Sequence, residues 1–307
     1  MSANIHRNTI ALLIVGIAVI FVVGEAFGDL AIYVRAACAF PSSPTTFQSK
    51  AYGQLLSKYV HDGLVDYWQI KKHPAELNTA VAELEHTRPD NLKSNAEKLA
   101  FWINAYNLLT IKQVCDDYPI HRASDLDASK HNRFIVGGRI HTRPDIEKNL
   151  LRPLAKMVDF KTIYLVSSAA MGGPPVVNHP ITVEGMHKDA EAQLASLCVA
   201  PGNTNLNETD GMWRISQVFM ASEDICKPAY ASSFALVDAY LPEKKRVKLN
   251  EPGFQYLYFP DFDQNLNQVP PPEPAQNPVV EDPSKDSTPA AEWARTHANE
   301  QSKEVKK

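Results

Sequence analysis

Apolar positions recur at helical spacing through much of the central chain. Over about Phe47 to His61, and again over about Pro74 to His86, they return every three or four residues, which predicts two helices with one buried face each. The segment between them, "GLVDYWQI", reads as extended. From Asn95 to about Asp117 the pattern changes, because "LAFWINAYNLLTIKQV" is apolar nearly all round. Such a helix has no solvent face and belongs at the centre of a fold. In "RFIVGGRIHT", residues alternate on either side of Gly137-Gly138, a two-residue hairpin signal. Thr142 is then placed to cap a helix, with Pro144 in its first turn and Asp145 at the third position, facing the positive end of the helix dipole. That helix continues through "DIEKNLLRPLAK", and Pro153 is expected to bend or end it.

"TIYLVSS" is apolar and β-branched and predicts a central strand. A helix follows from Thr182 to about Leu197, then "MWRISQVF", a short helix near "SEDI" and a helix from Pro228 to Leu241. "FQYLYF" predicts a closing strand. Helices and a few strands without β-α-β alternation give the α+β class. The expected architecture is a single mostly helical domain over residues 45–263 with a small antiparallel sheet.

The two ends differ from this middle. An uninterrupted apolar run from Ile10 to Val23 has the length of a signal-peptide core, short of the roughly 20 residues of a full span. A span from Thr9 to Phe27, with Glu25 reaching the interface, is the alternative. Gly24-Glu25-Ala26 and Ala37-Cys38-Ala39 both offer small residues for cleavage. Residues 1–40 are therefore expected to be a signal peptide or an N-terminal membrane anchor, with the globular domain outside the cytoplasm. Residues 264–307 read as a Pro-rich, charged, disordered tail, with the composition turning sharply at Val269.

A net charge of −4 and the lack of a basic stripe argue against nucleic acid as a partner. The short run "PEKKRVK" reads as a solvated face. Four cysteines, Cys38, Cys115, Cys198 and Cys226, have no metal-ligand spacing, so neither a metal nor a cofactor is expected. Cys115 falls in the apolar helix as a small core residue, and Cys198 and Cys226 could pair as a disulfide in an exported domain.

Four stretches, "YGQLLSKYVHDGLVDY", "EKLAFWINAYNLLTIKQV", "FIVGGRIHTRPDIEKNLLRP" and "RISQVFMASEDI", occur in the order seen in the domain-of-unknown-function 547 (DUF547) family. The chain resembles that family from Phe47 to Leu241. The resemblance implies an α+β domain distantly similar to papain-like thiol hydrolases. It also implies a site made of a Glu-His pair on the helix after the hairpin and a cysteine just before a proline. A thiolate attacks, an imidazole moves protons and a carboxylate orients the imidazole. Carried onto this sequence the pattern breaks. The family's Ile-Glu-His reads Ile146-Glu147-Lys148, and its Ser-Cys-Pro element aligns on Pro174, which puts Gly173 at the thiol position. Glycine supplies no nucleophile, and a lysine near its usual pKa of about 10.4 stays protonated at neutral pH.

A rebuilt site would use Ser168, or Ser167, as nucleophile with Lys148 as base, or a recruited histidine such as His141 or His179. That reading makes the chain a hydrolase or acyl transferase. His131 and His187 are further candidates for the imidazole, and His179, His187 and Glu184 form a weak metal constellation. Asn104 and Asn107, three apart in the central helix, either line a pocket or bridge the helix to loop backbone. Gly172-Gly173 could let backbone amides approach an anion. The leading expectation is a domain without catalytic activity that acts by binding a protein or small-molecule partner or as a structural partner, with membrane contact through its N-terminal segment.

Overall fold

The central helix, α4 (Asn95–Asp117), forms because its sequence satisfies both ends and buries nearly everything between. The Ser94 hydroxyl accepts a hydrogen bond from the Glu97 N–H, and the Glu97 carboxylate accepts one from the Ser94 N–H. This reciprocal box satisfies donors that the first turn leaves open. Sixteen of its residues are buried, so it packs on several sides at once.

The computed structural model describes residues 30–39, 47, 50–207, 209–220, 222–227, 229–246 and 254–272. The chain divides into units at Val269 and Pro270. Of the second unit, residues 270–272 are described and carry no regular structure. The apolar run Ile10 to Val23 and most of the expected tail lie outside the described residues.

In the first unit α1 (Lys50–Tyr59) leads into a two-stranded ribbon, β1 (Val60–His61) with β2 (Leu64–Val65). Asp66 then caps α2 (Tyr67–Lys72), so the stretch expected to be extended is strand for two residues and helix for its last four. Helix α3 (Ala75–His86) packs on α1 and α4. The expected hairpin is present as β3 (Phe134–Val136) and β4 (Arg139–His141), turned by Gly137 and Gly138, both at positive φ. Thr142 caps α5 (Arg143–Ile146) through the Asp145 N–H, with the Asp145 carboxylate bonded back to Thr142. Pro153 leaves its mark one turn upstream. Residues Glu147–Leu151 form a π turn, the Arg152 N–H reaching the Glu147 carbonyl, before α6 (Arg152–Val158) resumes. The wider turn accommodates a residue that has no N–H to give.

The expected central strand is not formed. Phe160–Leu165 is a 3₁₀ helix, and residues 166–168 run on without pairing to a strand. After the following loop come α7 (Met186–Val199), β5 (Thr204–Asn207), β6 (Met212–Ile215), α8 (Gln217–Met220), α9 (Glu223–Cys226), α10 (Ser233–Tyr240) and β7 (Gln255–Tyr258). Strand β6 pairs antiparallel with β5 and parallel with β7, so the closing strand is present but the third small sheet is mixed. The class is α+β, with helices dominating.

Two cores result. The larger surrounds α4 and takes in α1, α3, Ile146, Leu165 and Val176. The smaller gathers Tyr164, Leu194, Trp213, Phe219 and Leu236. Cys198 and Cys226 are both buried in the smaller core as free thiols, so no disulfide joins them.

Both ends of the domain reach further than composition indicates. Residues 30–38 are helical, and Ala36 and Ala39 pack on Ile135 while Arg35 bonds Glu85 at 2.5 Å. This portion of the 1–40 segment is packed onto the domain. At the other end, residues 262–269 form a strap, so the segment expected to start a tail at 264 is instead packed on the domain. Asn267 donates its N–H to Ala169 and accepts from Val65, Leu266 is buried, and the Tyr67 hydroxyl donates to the Asn267 side chain at 2.7 Å. Among the described residues no helix is long and apolar enough to cross a membrane.

Candidate functional site

The site grows from one irregular stretch of backbone. Where a neighbouring strand would pair with residues 165–167, the side chain of Asn107 does so instead. Its Nδ2 donates to the Leu165 carbonyl at 2.8 Å, and its Oδ1 accepts from the Ser167 N–H at 2.9 Å. Asn104 repeats the device one turn earlier, donating to the Ile181 carbonyl at 2.7 Å and accepting from the Ile181 N–H at 2.8 Å. The two amides clamp both arms of the loop onto α4. Both amides are buried, and they line neither cavity beside Ser168.

Within the clamp the chain turns sharply. Ala169 adopts a positive φ of 69°, a left-handed conformation that costs a non-glycine residue about 1 kcal/mol or more. The reversal brings Ser168 against Gly173. A Cβ on residue 173 would stand 3.2 Å from Ser168 Oγ and 3.4 Å from the Ala170 carbonyl. The Ser168 hydroxyl therefore reaches the space beside residue 173, although it precedes that residue by five positions. Gly172 has a different reason to be glycine. A Cβ there would meet the Asp263 backbone nitrogen at 2.9 Å, because the strap crosses it closely. The backbone amides of Met171, Gly172 and Gly173 donate to the carbonyls of Asn265, Asp263 and Ala170, so they are not free to cradle an anion.

Ser168 and Gly173 open into a cavity of about 490 Å³ at the seam of the two cores. Tyr106 comes from the large core, Tyr164 and Val218 face it from the other side, and Phe262 covers it from the strap. Glu147 and Arg152 are its charged residues, 3.8 Å apart, and Arg152 is also paired with Asp224. A smaller cavity of about 250 Å³ shares Tyr106, Glu147, Ser168, Phe262 and Gln264 with the first and adds Arg143 and Asp127. Burial pushes the Tyr106 hydroxyl up to about 12, with Arg143 opposing and Glu147 adding to the shift, so it is a neutral phenol at ordinary pH.

The other sequence candidates stand elsewhere. Lys148 is exposed and lines neither cavity, since the turn that points Glu147 inward points its neighbour out. His179 is exposed, with Nε2 3.1 Å from Asp189 and Nδ1 3.2 Å from Asn178. His187 pairs with Asp159 at 2.9 Å and His131 with Asp117 at 2.7 Å. His141 packs edge-on to Trp102 on another face, and burial lowers its pKa. Ser167 is buried, its hydroxyl accepting from the Ala169 N–H at 3.4 Å. Cys115 and Cys198 are buried in the cores, and their thiols are pushed up to about 12 by desolvation. Among the described residues no group of three or more histidine, cysteine or carboxylate side chains could hold a metal ion.

Of the residues singled out in the sequence, Glu147, Ser168 and Gly173 come together. Lys148, His179, Asn104 and Asn107 do not join them. Sequence reasoning missed Tyr106, Arg143, Arg152 and Phe262. Arg143 carried a faint signal, because it precedes Glu147 by four residues and so shares its face of the turn. Phe262 carried none, since it arrives from far along the chain.

Residues 89–196 match the family model described as "Protein of unknown function, DUF547". The match runs from the turn before α4 to α7 and holds the clamp, Glu147, Ser168 and Gly173. No curated protein and no solved structure matches the chain.

Proposed function

We propose that this chain, which belongs to the DUF547 family over residues 89–196, uses the two adjoining cavities at Ser168 to bind a small molecule or a partner's side chain and carries out no thiol or serine chemistry there. The observation that carries this reading is the composition of the cavity wall. It holds a hydroxyl at Ser168 and a carboxylate at Glu147, but the cavity residues include no imidazole, thiol or lysine.

A serine hydroxyl attacks a carbonyl efficiently only when a base of suitable pKa takes its proton. The one carboxylate that shares both cavities with Ser168 has no imidazole or lysine beside it to complete such a base. The cavity's other features suit binding. Its walls are mixed aromatic and aliphatic with a few convergent polar groups, and its volume is that of a small-ligand pocket. The apolar run from Ile10 to Val23 supports a location outside the cytoplasm, reached by export or kept by a tether.

The experiment is hydrolysis of p-nitrophenyl acetate by the full chain and by Ser168→Ala. Equal rates at the level of the uncatalysed background agree with a binding role. A rate above background that Ser168→Ala abolishes overturns it.

A further inference from the structure

Among the described residues, Arg143 is a charge without a counter-ion. Its residue is 8% exposed, and among the described residues no carboxylate lies within ion-pair distance of it. Its Nε donates to the Gln113 Oε1 at 2.6 Å, its Nη1 approaches the Thr110 Oγ1 at 3.5 Å, and its guanidinium lies 5.8 Å from the centre of the Tyr106 ring. A guanidinium has five N–H donors, and these neutral contacts leave part of the fork unused. A buried cation held by neutral partners alone is costly, and such a charge is normally paired.

The same side chain lines the smaller cavity, where the charge is graded with depth. Arg143 lies deep. Glu147, with its side chain 40% exposed, and Asp127, exposed, stand toward the rim. Neither carboxylate closes on the arginine, so the cavity offers a cation inside and anions at its mouth. Tyr106 and Phe262 supply apolar wall between them.

We propose that this cavity takes a small zwitterion, an amino acid or short peptide, inserted carboxylate first toward Arg143 with its amine held by Glu147 and Asp127. Bidentate pairing of a planar guanidinium with a carboxylate fixes the orientation, and the rim carboxylates select a cationic amine over a neutral one. Ser168, which lines the same cavity, then faces the ligand between its two charged ends. The inference rests on the binding role proposed above and gives it a ligand class.

The test is calorimetric titration of the full chain with dialanine, dialanine amide and N-acetyl-dialanine. Dialanine is expected to bind at least about tenfold more tightly than either blocked form, the loss of one charge-assisted contact in each case. Glu147→Gln, a change at a partly exposed side chain, is expected to remove the preference over N-acetyl-dialanine while keeping the preference over the amide. Arg143→Lys is expected to abolish the preference over the amide. Equal affinities for the three peptides, or no heat from any of them, overturn the inference. Ester turnover by Ser168 would sink the binding-only role and leave these preferences unaffected, so the two failures are distinguishable.

Discussion

Ser168 Oγ stands 3.2 Å from the place a Cβ on residue 173 would occupy. The hydroxyl fills part of the space that a side chain at 173 would need, and the glycine is what allows it. The pairing follows from the left-handed turn at Ala169 and from the Asn107 clamp that fixes the backbone just before it.

Restoring a thiol is the direct probe of that geometry. Gly173 is not among the positive-φ residues, so a side chain is compatible with its backbone. Gly173→Cys is expected to fold with a loss of about 1 kcal/mol as Ser168 shifts by a few tenths of an ångström. Its thiol is expected to titrate at or above the usual 8.5, since residue 173 is buried and no imidazole stands in the cavity. The pH dependence of iodoacetamide alkylation measures this, and a thiol pKa below 7 would contradict the account.

The clamp makes a stability prediction. Asn107→Leu keeps the volume but strands the Leu165 carbonyl and the Ser167 N–H in a buried site. The expected loss is about 3 kcal/mol, read from urea unfolding. A loss under about 1 kcal/mol would mean that the loop holds its shape without the clamp.

Truncation tests the strap. Ending the chain at Asp263 removes the buried Leu266 and the Asn267 contacts to Tyr67, Ala169 and Val65, and is expected to cost on the order of 4 kcal/mol. Ending it at Val269 is expected to leave the unfolding midpoint unchanged. Equal midpoints for the two truncations would show that the strap is dispensable.

His141 gives a pH dependence of known sign. Burial lowers its folded pKa below the unfolded 6.5, so in this range the unfolded chain binds the extra proton. The contribution is complete above about 6.5 and is lost as the pH falls through the lower folded value. His141→Phe, which keeps an aromatic ring against Trp102, is expected to flatten the stability profile below pH 6.5. An unchanged slope would assign the acid sensitivity to other groups.

Much of the scaffold was legible because its signals are local. Gly137-Gly138 turns a hairpin, Thr142 and Asp145 close a capping box, and an all-apolar run becomes the buried α4. The misread "TIYLVSS" shows where local signals stop. Its β-branched, apolar residues fit a strand, but strand formation needs a partner edge, and Asn107 from a distant helix takes the backbone groups such an edge would bond. The same limit applied to the site. Glu147, Ser168 and Gly173 could be named from sequence, whereas the cavity depends on Phe262 and Gln264, brought in by a strap whose composition resembles the tail it precedes.

The most direct test of the central claim is intact-mass analysis after treatment with a fluorophosphonate, which labels only activated serines. No mass shift is expected on the full chain at concentrations that saturate a serine hydrolase control. A single stoichiometric adduct that disappears in Ser168→Ala would contradict it.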